Sequence, residues 1–105
     1  MAVYVDPLFP TQPSKRWPYS HACHLTADTP DELHAFAAKQ LGLKRAWFQG
    51  HHPNPVFWHY DLTESKRRQA LRAGAVALTS EQWAERVRRS NERYALQASN
   101  TTTSE

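Results

Sequence analysis

Between residues 29 and 42 the chain marks both ends of one helix. Thr29 is a hydroxyl cap, and Pro30 suits the first helical position, where its missing N–H has no partner to lose. Glu32, three residues after the cap, completes a capping box. Leu33, Phe36, Ala37 and Leu41 then fall on one face, and Gly42 is a natural stop. Such a helix must lay its apolar face on something, and its flanking segments are of β type.

Residues 2–6 predict a short strand, halted by Pro7. Residues 7–18 contain four prolines, which lack the ladder donor, so an ordered loop or flap is expected there and not a strand. Residues 19–26 predict a second strand, 45–49 a third, 50–55 a loop, and the aromatic 56–60 another short strand. Asp61-Leu62-Thr63-Glu64 is a second capping box, opening a helix that Gly74 ends. Residues 75–78 predict a last strand. Thr79 or Ser80 caps a third helix with a narrow stripe of Trp83, Val87 and Tyr94. The polar segment 98–105 is expected to be a disordered tail. The expectation is an α/β fold: one domain over residues 1–97, three helices, and a short, partly parallel sheet of four or five strands.

At 105 residues a chain has room for one core, burying about two-thirds of its unfolded surface. No apolar run approaches the roughly 18 residues that span a bilayer. Val3-Tyr4-Val5 meets Asp6 and Pro7 at once, unlike a secretory signal. The single cysteine, Cys23, excludes an intramolecular disulfide and fits a reducing compartment. A cytosolic protein with no membrane partner is expected. The net charge of +3 is mild for a nucleic-acid binder, and residues 61–97 hold eight basic against five acidic residues. Arg86, Arg89 and Arg93 share their helix with Glu81, Glu85 and Glu92, the ordinary dressing of an exposed surface. Six histidines, at 21, 24, 34, 51, 52 and 59, are the sharper imbalance.

His59 and Asp61 emerge on the same side if their segment is extended, where a strand hands over to a helix. A helix N-terminus favours an anion, although Asp61 as a cap competes for its N–H groups. Lys66 shares the smaller-residue face with Leu62, Ala70 and Ala73, where a lysine snorkels, pairs, or reaches into a cleft. In His21-Ala22-Cys23-His24 a strand sets the two histidines on opposite faces and turns Cys23 away from His24, as a buried inert thiol. His34 lacks the second histidine of a zinc helix, and His51 and His52 precede Pro53 as loop residues. Asp6, His24, His59 and Asp61 are compatible with a mixed site for a divalent metal, though their spacing does not demand one.

Five phrases in order carry a resemblance: Tyr4-Val5-Asp6, Cys23-His24-Leu25, the run from Asp31 to Ala37, His59-Tyr60-Asp61, and Gly74-Ala75-Val76. Over residues 2–90 the chain resembles the bacterial and phage family of small proteins catalogued as domain of unknown function 4031. The resemblance implies no reaction. It does select residues: Asp6, His24, His34, His59, Tyr60 and Asp61 match the family pattern, whereas His21, His51 and His52 do not. The resulting reading is a His/Asp cleft that binds a phosphate-bearing ligand, such as a nucleotide or a nucleic-acid end, and hydrolyses it. His24, His59 and Asp61 are its catalytic candidates; Asp6, His34, Tyr60 and Lys66 its binding candidates. The alternative is a non-catalytic accessory domain that binds protein or nucleic acid through Trp17, Tyr19, Phe57 and Trp58, bordered by Lys15 and Arg16.

Overall fold

A seven-residue strand, β3 (His21–Ala27), organises the molecule, because it is long enough to pair with two strands along one edge and a third along the other. A computed structural model describes residues 2–103. Along one edge of β3 run β1 (Val3–Val5) and then β2 (Phe9–Pro10), both antiparallel. On the other edge lies β4 (Tyr60–Leu62), also antiparallel. β5 (Val76–Ala77) pairs in parallel with β1 and closes a mixed five-stranded sheet. The helices are α1 (Pro30–Leu41), α2 (Glu64–Arg72) and α3 (Ser80–Thr103). The α/β expectation holds, with its three helices and partly parallel sheet.

The pleat sorts the side chains. Val5, Cys23, Leu25, Tyr60 and Leu62 face α1 and α2, where they meet Leu33, Ala37, Leu41 and Ala70 in one buried core. The alternate residues Tyr4, His24 and Asp61 face the other way. There α3 is pinned by Arg86, whose guanidinium lies 4.3 Å from the Tyr4 ring centroid and bonds the Ala27 carbonyl at 2.8 Å. Cys23 is fully buried, and its thiol is pushed up to about 12, by burial first and the charge of Asp6 second. Native protein should therefore resist iodoacetamide while urea-unfolded protein reacts at once; rapid native labelling would mean that β3 opens its core face to water.

The helix ends behave largely as their local signals direct. Thr29 accepts from the Glu32 N–H at 3.2 Å, and Gly42 ends α1 in the left-handed region at φ 65°. Thr79 caps α3, accepting from Gln82 N–H at 3.1 Å while Gln82 Oε1 reaches back to the Thr79 N–H. Helix α3 continues to Thr103, past the start of the tail expected from residue 98, and residues 104 and 105 lie outside those described.

Four local expectations are corrected. The proline-rich flap contains a strand after all, because β2 is a two-residue edge that asks for few donors. Residues 45–49 are not a strand: Arg45–Trp47 form a 3-10 turn, and Gln49 alone makes a bridge, to His59. The strand expected at 56–60 begins instead at Tyr60, since Asn54 caps a 3-10 turn over Pro55–Phe57 through Val56 N–H. Helix α2 starts at Glu64 with Thr63 as its cap, and Asp61 belongs to β4. Both Asp61 and Thr63 could cap locally. Pairing with β3 assigns Asp61 to the sheet.

Candidate functional site

Pro7 has no N–H to give the ladder, and the sheet bulges beside it. Between the pairs Val5↔Leu25 and Phe9↔Ala22, residues 6–8 face only residues 23 and 24. Asp6 N–H still donates to the His24 carbonyl, at 3.3 Å. The return bond is made by a side chain: His24 N–H donates to Asp6 Oδ1 at 2.6 Å. The Asp6 carbonyl, freed by this exchange, accepts from Arg67 Nε at 3.0 Å. The second oxygen of the same carboxylate, Oδ2, lies 2.7 Å from His24 Nδ1. A carboxylate can only accept, so Nδ1 carries the proton and His24 presents Nε2 outward.

Since the backbone groups of His24 point at Asp6, the pair His24↔Asp61 across β4 is of the non-hydrogen-bonded kind, in which facing side chains approach most closely. Asp61 Oδ1 is 3.8 Å from His24 Nε2. His59, two residues earlier on the same face, places its Nε2 3.4 Å from that same Oδ1. Gln49 and His59 exchange backbone bonds of 2.9 and 3.1 Å, and Gln49 Nε2 donates to Asp61 Oδ2 at 2.5 Å. His59 Nδ1 donates to the Phe57 carbonyl at 2.7 Å. The two imidazoles stand edge to face, with centroids 4.6 Å apart.

Burial alone would lower the His59 pKa, but Asp61, the Phe57 carbonyl and the charge of Asp6 together hold it above the ordinary histidine value. Asp61 is held below the usual carboxylate range, by His59 first, with burial opposing and Gln49 assisting. A cleft of about 380 Å³ opens over these groups, of a size for a small ligand, walled by Phe57 and Trp83 and rimmed by His51 and His52. Asp6 is among its lining residues; Asp61 is not, but pairs with His24 and His59, which are, and among the described residues no lysine or arginine lines it. Among the described residues, His24, His59 and Asp61 are also the group that could hold a metal ion, with one ligand atom from each, all within 4.8 Å of one another.

The remaining candidates lie elsewhere. Tyr60 and His34 share a 2.9 Å hydrogen bond on the core face, opposite Asp61. Burial, then the charge of Arg45, keeps the His34 pKa low. Lys66 Nζ donates to the Leu41 carbonyl at 2.7 Å, serving the C-terminal end of α1. The aromatic surface of the alternative reading is divided: Trp17 packs edge-on against Tyr19, whereas Phe57 packs on His52 and Trp83, and Trp58 on Phe48. Gln49, Thr26, Trp83, His51 and His52 line the cleft although the sequence singles out none of them for it. For Gln49 no local pattern could have done so, because its role comes from a bridge to a residue ten positions away.

One family model, described as Protein of unknown function (DUF4031), matches residues 3–90. Searches of curated proteins and of solved structures return no match.

Proposed function

The chain belongs to the family described as Protein of unknown function (DUF4031), and for this member we propose that the His24–His59–Asp61 cleft binds a small phosphate-bearing ligand and hydrolyses it. The observation that carries the reading is convergence. Residues 24, 59 and 61 arrive from two β segments and bring two ring nitrogens and a carboxylate oxygen within 4.8 Å of one another, beside a cavity of ligand size. Each of the three is oriented by a hydrogen-bond partner of its own: Asp6 for His24, the Phe57 carbonyl for His59 and Gln49 for Asp61. Such prior orientation is what a reacting centre requires and a purely structural hydrogen-bond network does not.

The ligand class follows from shape and charge. Phe57 and Trp83 offer an apolar wall for a planar group such as a nucleobase, while the polar floor meets the phosphate. With no lysine or arginine in the cleft, the positive charge an anion needs must come from the imidazoles or from a bound cation. A phosphoester-processing domain suits the cytosolic, bacterial or phage setting implied by the sequence and its resemblance. The test is turnover of nucleoside monophosphates, a dinucleotide and p-nitrophenyl phosphate in buffers containing divalent cations. Wild-type protein should hydrolyse at least one of them, and Asp61→Ala should reduce that rate by roughly a hundredfold or more. No turnover of any of them, or turnover that Asp61→Ala leaves intact, would overturn the proposal.

A further inference from the structure

We infer that His24, His59 and Asp61 act as three ligands of one first-row divalent transition ion, with Asp6, the Phe57 carbonyl and Gln49 as its outer supports. The inference deepens the hydrolytic reading above and rests on it for purpose, but the binding it describes is measurable without any substrate.

The first argument is distance. Charge-assisted hydrogen bonds between nitrogen and a carboxylate run at about 2.7–2.9 Å. Asp6 and His24 make one of that length, at 2.7 Å. Asp61 Oδ1 stands further off, 3.4 Å from His59 Nε2 and 3.8 Å from His24 Nε2. Those spacings are loose for proton sharing. They suit a shared ion, since ligands bound tetrahedrally at about 2.1 Å are separated by about 3.4 Å.

Orientation is the second. Each imidazole spends Nδ1 on a protein acceptor, a carboxylate for His24 and a backbone carbonyl for His59. That leaves both Nε2 lone pairs for the ion, and these two acceptors are the usual outer partners of metal-bound histidine. Gln49 occupies Asp61 Oδ2 in the same manner, so Oδ1 is the oxygen presented.

Charge is the third. Asp6 lines the cleft, Asp61 pairs with two of its lining histidines, and among the described residues no lysine or arginine lines it; a dication held by the histidines and Asp61 offsets this negative charge and supplies the charge that a phosphate needs. Two nitrogens and one oxygen favour zinc, cobalt, nickel or iron over magnesium and calcium, which take oxygen ligands. Three protein ligands leave positions open for water and a phosphate oxygen, and an ion so held lowers the pKa of bound water towards neutrality.

The experiment titrates zinc, and separately cobalt, into tag-free protein stripped by a chelator, following heat and the visible cobalt spectrum. One equivalent should bind. His24→Ala, His59→Ala and Asp61→Asn should abolish or greatly weaken binding, and Asp6→Asn, which keeps the shape of the support, should weaken it by about 10–100-fold. His21→Ala, exposed and outside the cleft, should leave it unchanged. Circular dichroism identifies variants that fold, and Asp6→Asn and Asp61→Asn keep the test decisive if an alanine variant does not. Absence of binding to the wild type, or binding that these substitutions leave intact, overturns the inference. Hydrolysis by a wild type that binds no metal overturns it while sparing the hydrolytic reading; stoichiometric metal with no hydrolysis sinks the hydrolytic reading and spares the metal site.

Discussion

Leu25→Ala is expected to destabilise the protein by about 3–4 kcal/mol, from the lost transfer energy of a buried leucine and the cavity left behind. Leu25 is 0% exposed and stands at the crossing point of the sheet, opposite Val5 on one strand and Tyr60 on another. Neighbours anchored by two ladders cannot collapse into the gap, which places the cost in the upper part of the usual range. Domains of this size hold only about 5–15 kcal/mol in total, so the loss is a large fraction of stability and lowers Tm by roughly 12 °C or more. Val76→Ala is the matched control: Val76 is 46% exposed on the edge strand β5, and its truncation should stay within about 0.5 kcal/mol. Urea unfolding of both variants decides the matter. A Leu25→Ala penalty as small as that of Val76→Ala would mean that the core does not centre on β3.

Gly50→Ala should cost about 1–3 kcal/mol through crowding, and should reach the site as well. A Cβ at Gly50 would overlap the Phe48 ring. That ring is wedged against His34, Trp58 and Tyr60, at centroid distances of 4.5, 5.9 and 5.6 Å, so it has little freedom to retreat. The strain falls next to Gln49, whose backbone bridges His59 and whose side chain holds Asp61. A double-mutant cycle with Phe48→Ala isolates the cause: in that background the Gly50→Ala penalty should largely vanish. An equal penalty in both backgrounds would place the cause in the backbone and not in the ring. Where Gly50→Ala still folds, the hydrolysis proposed above should slow along with the loss of stability.

Local signals served some positions well. Thr29 and Gly42 bound α1 because capping satisfies orphan backbone groups with side chains close in sequence. His59 and Asp61 share a face because side chains along extended backbone alternate with a period of two, whatever the exact strand limits. The same alternation removes Tyr60 from the site: lying between them, it turns into the core and meets His34 there. A resemblance carried by the run His59-Tyr60-Asp61 cannot say which of the three turn inward. Residues 45–49 and 56–60 show how aromatic and β-branched content misleads when a turn competes, since β propensity reflects packing on a pleated surface more than backbone preference.

The amino-acid order by itself therefore determined the three helices with most of their ends, the alternation of strands with helices, the single buried thiol, and the short set of His and Asp residues worth following. All of these depend on interactions spanning a few residues, or on composition. Only the tertiary structure decided that Asp6 gives its carboxylate to both the backbone and the ring of His24, that Asp61 is a strand residue and not a cap, and that Gln49 completes the cluster. Those outcomes depend on register across β3, on one extra residue at Pro7, and on a lone bridge between distant segments. A slip of one residue in any of these pairings would send His24 or Asp61 to the opposite face, and nothing within a few residues of either side chain encodes the pairing.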